Sequence, residues 1–190
     1  MKKALVLIAV CIITFACGNS ENSKGENSQT EVLTSEKAAP PAPTESASSP
    51  CSFVTEAKIK EILAIPADAP TEMSDEMLTY PSCFYKWESA MFTVKRNISG
   101  REMSLEYPAE AVIVLVKNAT ESMFEASTKV YKDGVAQDGL GDMAIWGAQM
   151  SQLSFLAKGT MIHLNVKVAA DAAANRKKAV ELASLIIDKL

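Results

Sequence analysis

The sequence predicts an α+β fold in which an antiparallel sheet carries helices packed on one face, in the order helix–strands–helix–strands–helix. Three observations predict it. Thr160–Val168 alternates strictly, with Ile162, Leu164, Val166 and Val168 to one side and His163, Asn165 and Lys167 to the other. Such alternation marks an antiparallel sheet with one solvated face. Gln152–Ala157 alternates as well, and Lys158-Gly159 is the two-residue turn that joins the two segments. After them, Ala179, Ala183, Ile186 and Leu190 form one helical stripe behind Asp171, a good N-cap.

The remaining elements follow in chain order. Thr55 caps a helix that presents Ile59, Ile62 and Leu63 on one face, and Pro66 closes it. A loop rich in Pro, Asp and Glu is expected from there to about Tyr80. Cys83–Glu88, Met91–Arg96 and Glu102–Tyr107 read as strands, and the continuous Val/Ile/Leu run of Ala111–Lys117 as a central strand buried on both faces. A second helix should start near Thr120 or Ser122, carry Phe124 and Tyr131 on one face and end at Asp133-Gly134. Asp138-Gly139-Leu140-Gly141-Asp142 then reads as a turn into a short strand, Met143–Trp146. Two helix-plus-hairpin halves in series raise the expectation of a duplicated ancestor, although no residue-level repeat accompanies them.

The N-terminal third is of another kind. Met1, Lys2 and Lys3 precede an apolar run from Ala4 to Ile13, the basic and hydrophobic regions of a signal peptide. The run is half the roughly 20 residues that a membrane-spanning helix needs. Ala16-Cys17 at its end resembles the lipobox of bacterial lipoproteins, in which the Cys is acylated and becomes the first residue. Thr14 departs from the usual aliphatic residue three places before the Cys. The resemblance implies a signal peptide over 1–16, lipidation of Cys17 and anchorage in the cell envelope. Gly18, rather than Asp, resembles the outer-membrane sorting pattern of Gram-negative lipoproteins.

Residues 18–50 contain no aromatic side chain, and Pro40, Pro41, Pro43 and Pro50 stiffen their second half. This composition cannot bury enough apolar surface to offset ordering entropy. Residues 17–50 are therefore read as a lipidated Cys and a disordered tether, with a root-mean-square reach of roughly 30 Å, and 51–190 as the folded domain.

With Cys11 discarded and Cys17 acylated, Cys51 and Cys83 remain, and in an oxidising compartment a disulfide between them is the default. A two-Cys metal site with His163 would lack any close-spaced ligand pair. Loss of Lys2 and Lys3 takes Lys+Arg from 19 to 17 against 23 acids, a net charge of −6. A chain so acidic, without a basic cluster, is not built for nucleic acid.

From Cys51 onward the pattern resembles the small lipoprotein domains of unknown function abundant in actinobacteria. The residues that carry it are Cys51 before Thr55, Cys83 before Trp87, and Gly139-Leu140-Gly141-Asp142-Met143-Ala144-Ile145-Trp146 ahead of the hairpin and the Ala-rich helix. Trp87 follows Cys83 by four residues, where two is usual in that group. The resemblance implies architecture and a disulfide and brings no active site. The layout is also similar to helix-plus-sheet inhibitor domains that bind β-lactamases through a concave sheet face.

Catalytic chemistry finds little footing. His163 is the single histidine, and no Gly-x-Ser-x-Gly element presents a nucleophile to it. Asp138 and Asp142 flank a glycine turn, with too few alternating oxygens for calcium and a strand where a phosphate loop needs a helix. Met73, Met77, Met143 and Met150 form no tight Cu(I)-type cluster. No catalytic residue, metal or cofactor is therefore expected. The aromatic set Tyr80, Phe84, Tyr85, Trp87, Phe92 and Trp146 suits a core more than a contact surface. The expected function is binding of an envelope protein or small ligand, with Gln152, Ser154, His163, Asn165 and Lys167 as the contact face. A lipid carrier with a cavity between helices and sheet is the alternative, and an unrecognised hydrolase the more distant one.

Overall fold

A computed structural model describes residues 49–190. The expected signal peptide, the expected lipidation at Cys17 and the expected tether, up to residue 48, lie outside the described residues. After a 3-10 turn at Pro50–Ser52 come α1 (Glu56–Leu63), β1 (Glu72–Met77), β2 (Pro81–Ile98), β3 (Arg101–Lys117), α2 (Glu121–Thr128), β4 (Gly134–Ala136), β5 (Met143–Gly147), β6 (Gln152–Ala157), β7 (Thr160–Lys167) and α3 (Ala172–Ile187). The fold is α+β, with one seven-stranded antiparallel sheet in the order β1-β2-β3-β7-β6-β5-β4. Two meanders thus meet at the β3–β7 pair.

Side-chain parity decides the layers. Leu115, Ile162 and Phe155 share a rung of the ladder and bury against α1 and α3, together with Ile59, Leu63, Trp87, Leu182 and Ile186. On the neighbouring rung Val116, Met161 and Leu156 point to the opposite side, and there they pack with Phe124 of α2. Successive strand residues face opposite sides of a sheet, so α2 lies on the face away from α1 and α3. This corrects the expectation of helices on one face. A two-fold relating adjacent antiparallel halves would keep their helices on the same face, so α1 and α2 are not equivalent.

Local signals account for the helix ends. Thr55, Thr120 and Asp171 each accept backbone N–H bonds from the first helical turn, the role of an N-cap. Ala64 closes α1 in the left-handed conformation, and Lys178 of α3 donates to the Leu63 carbonyl at the same end. α2 stops at Thr128, so Tyr131 sits in the following loop rather than on the helix. The stretch expected to be loop up to Tyr80 contains β1, an acidic strand at the sheet edge. Charges there discourage pairing with another chain.

The three strands expected between residues 83 and 107, and the fourth at 111–117, are two long strands. β3 pairs with β7 only from Glu110 to Lys117, so the part of the β2–β3 hairpin before it projects as a two-stranded ribbon. Over Ala111–Lys117 one face is buried and the other mostly half-buried. Cys51 and Cys83 form a disulfide with Cα atoms 5.2 Å apart, which ties the start of the domain to β2.

Candidate functional site

Of the five residues expected to form a contact face on the β6–β7 hairpin, Ser154 is fully buried, at 0% exposure. Gln152, His163 and Asn165 are half-buried, and Lys167 alone is exposed. Tyr131 covers Ser154. Its ring lies on Gly147, where an added Cβ would stand 3.0 Å from the ring. From there the phenol meets the Ser154 hydroxyl at 2.6 Å, and that hydroxyl meets His163 Nδ1 at 2.6 Å. Burial pushes the His163 imidazole below its ordinary value and the Tyr131 phenol above its own, the latter offset in part by the Ser154 hydrogen bond. With the imidazole neutral and its proton on Nε2, Tyr131 donates to Ser154 and Ser154 donates to Nδ1. This relay engages the Ser154 hydroxyl on both sides and leaves it buried.

The other members are engaged separately. Asn165 donates through Nδ2 to the Met150 carbonyl at 2.7 Å, while its Oδ1 is buried without a partner. Lys167 pairs with Glu110 at 2.7 Å across the β3–β7 ladder. The five residues therefore divide: Ser154 is covered and internally bonded, Gln152, His163 and Asn165 are half-buried, and Lys167 is exposed.

An open apolar face occurs instead on the ribbon. Register slips between Trp87 and Met91, where Glu88, Ser89 and Ala90 have no counterpart on β3. Such an insertion bends and twists a strand pair. Beyond it, Phe92↔Tyr107, Val94↔Leu105, Arg96↔Met103 and Ile98↔Arg101 place their side chains on one face. Thr93, Lys95, Asn97, Glu102, Ser104 and Glu106 occupy the other. The Phe92 and Tyr107 rings stand 6.1 Å apart. Ser99-Gly100, both with positive φ, close the turn, and Asn97 Oδ1 accepts from the Gly100 N–H at 2.9 Å.

At the root of the ribbon is a cleft of about 390 Å³. Phe92, Val94 and Tyr107 form its ribbon wall, the Ala148–Ser151 turn, Ala169, Ala170 and the first turn of α3 form the opposite wall, and Lys167 and Arg96 reach it. Its size falls within the range of small-ligand sites. A second cavity, of about 580 Å³, is lined by α1 and the loop after it alone, and its Lys60 is already bonded to Glu56 at 2.8 Å and to the Ala69 carbonyl at 2.7 Å.

The aromatic set divides between core and surface. Tyr85, Trp87 and Trp146 are buried, Phe84 and Phe92 are half-buried, and Tyr80 is exposed. Trp87 stacks with Tyr85 and donates through Nε1 to Thr71 Oγ1 at 2.7 Å. Gly139 and Gly141 have φ of 78° and 61°, as a tight turn requires. Met73, Met77 and Met150 are exposed singly and Met143 is half-buried. Among the described residues no three of His, Cys, Asp and Glu come together in a metal-sized group, and no helix is long and apolar enough to cross a membrane.

The ribbon escaped the sequence reading, although its signal was present: alternation through Phe92-Thr93-Val94-Lys95 and again through Met103-Ser104-Leu105-Glu106, either side of a Ser-Gly turn. No family model, curated protein or solved structure matches this chain.

Proposed function

We propose that the chain is a lipoprotein of the cell envelope, anchored through acylated Cys17, whose domain is a non-enzymatic binding module. Its site is the cleft at the root of the β2–β3 ribbon, and its ligand is an envelope protein segment or a small molecule. The observation that carries this reading is an apolar face, Phe92, Val94, Leu105 and Tyr107, continued past the sheet and, among the described residues, outside the buried core. Large unpartnered apolar faces mark interaction sites. The Cys51–Cys83 bond supports the oxidising address. The relay argues against the hydrolase alternative, because its hydroxyl is sealed beneath Tyr131. The carrier alternative needs space between helices and sheet, and that layer is filled by Ile59, Trp87, Phe155 and Leu182, all at 0% exposure.

Two measurements test it. Intact mass of chain from native membranes, before and after reduction and alkylation, should show a diacylglyceryl or triacyl chain beginning at Cys17, with Cys51 and Cys83 alkylated only after reduction. A photoreactive side chain at Val94 should then give a discrete adduct in those membranes, and one at Glu61 on α1 should give none. Free thiols on an unlipidated chain would sink the address. Equal labelling from both positions would sink the site.

A further inference from the structure

Arg96 reaches the cleft, but Ile98, Arg101 and Met103 in the outer half of the ribbon do not line it. Ile98 and Met103 are 46% and 45% exposed and lie on the same face as Arg96 and Arg101. Neither arginine is in an ion pair among the described residues, whereas Lys95 on the opposite face pairs with Glu102 at 3.2 Å. From Lys95 to Met103 there are three bases and one acid, in a chain whose net charge is −4. We infer that this tip is a membrane foot: Ile98 and Met103 enter the interface of an anionic bilayer leaflet while Arg96 and Arg101 hold its phosphates.

The chemistry of the face selects that occupant. Apolar side chains beside guanidinium groups suit the acyl–headgroup boundary, because arginine extends its apolar stem and keeps its charge at the phosphate level. The polar face of Thr93, Asn97, Ser104 and Glu106 then stays in water. A second copy fits poorly, because a two-fold pairing of these faces would bring four guanidinium groups together with no carboxylate between them. Reach is adequate, and here the inference rests on the lipoprotein reading. The tether expected from the sequence would reach roughly 30 Å, and the eight-residue arm Met91–Ile98 extends about 26 Å at ~3.3 Å per residue. The acyl chains supply attachment and the ribbon supplies orientation, setting the cleft at a fixed attitude to the bilayer.

The test uses full-length chain from native membranes, reconstituted into vesicles of phosphatidylglycerol and phosphatidylcholine with brominated acyl chains. The native Trp87 and Trp146 are buried and give a constant background. Fluorescence of Met103→Trp should be quenched in phosphatidylglycerol vesicles and that of Ser104→Trp should not. Adding Arg96→Gln and Arg101→Gln to Met103→Trp should lower the ratio of quenched to unquenched ribbon about 30-fold, at ~1 kcal/mol per arginine. Equal quenching at 103 and 104, or none at 103, overturns the foot. So does a Met103→Trp emission that is blue-shifted without vesicles and varies with protein concentration, which assigns the face to a second copy. Intact mass separates the two failures: an acylated chain without quenching loses the foot and keeps the anchor, whereas an unacylated chain loses both.

Discussion

Three side chains from separate parts of the chain, Tyr131, Ser154 and His163, depend on one another for their hydrogen bonds. Ser154→Ala leaves a buried phenol and an imidazole nitrogen without their partner and should destabilise the domain by about 1–3 kcal/mol in urea unfolding. His163 carries a pH dependence of definite sign. Burial lowers its folded-state value below the ordinary 6.5, so the unfolded chain binds the proton first. Stability is full above about pH 6.5 and declines as pH falls from there toward the lowered value. The difference between wild type and His163→Gln across that window should isolate the effect, and a flat difference curve would contradict it. The alternation that places Ser154 and His163 on one face is plain in the sequence. The lid over them is not, because Tyr131 reaches Ser154 from 23 residues away.

Elements were legible where their signals are local. The N-caps at Thr55 and Asp171 and the Lys158-Gly159 turn stand in the structure at the positions read from sequence, and of the two starts open for α2, Thr120 is the cap. Asp171→Ala should weaken α3 by about 1 kcal/mol, seen as a lower denaturation midpoint with unchanged slope. Gly141 is held more firmly than a turn alone would need, since an added Cβ would run into the Leu156 carbonyl oxygen. Gly141→Ala should therefore cost more than the ~1 kcal/mol of left-handed backbone strain, whereas Gly139, with open space around it, should show the backbone cost alone. β1 was missed because Glu72-Met73-Ser74-Asp75-Glu76-Met77 has neither β-branched residues nor alternation. It is a strand only because β2 offers it a hydrogen-bonding edge.

For the molecule as a whole, the disulfide and the ribbon have opposite effects on order. The bond between Cys51 and Cys83, 32 residues apart, restricts the unfolded chain and should contribute roughly 3–4 kcal/mol. Reduction, or the Cys51→Ser/Cys83→Ser pair, should lower the melting temperature by about 10 °C for a domain of this size. The ribbon, exposed on both faces from Lys95 to Ser104, should exchange its amide hydrogens far faster than the sheet centre formed by β6, β7 and the Glu110–Lys117 part of β3. Hydrogen exchange over Met91–Pro108 with and without vesicles measures both that difference and its suppression by contact.

By itself the sequence determined the α+β class, the hairpin of β6 and β7, the helix caps and the Cys51–Cys83 pair. Each of these is written in neighbouring residues or in the count of cysteines. Only the tertiary structure decided which face α2 covers, that Tyr131 closes over Ser154, and that β2 and β3 run on as a ribbon past the sheet. A period of two says that two faces exist. Which of them is buried depends on helices arriving from elsewhere in the chain, and the described helices leave the ribbon exposed from Lys95 to Ser104.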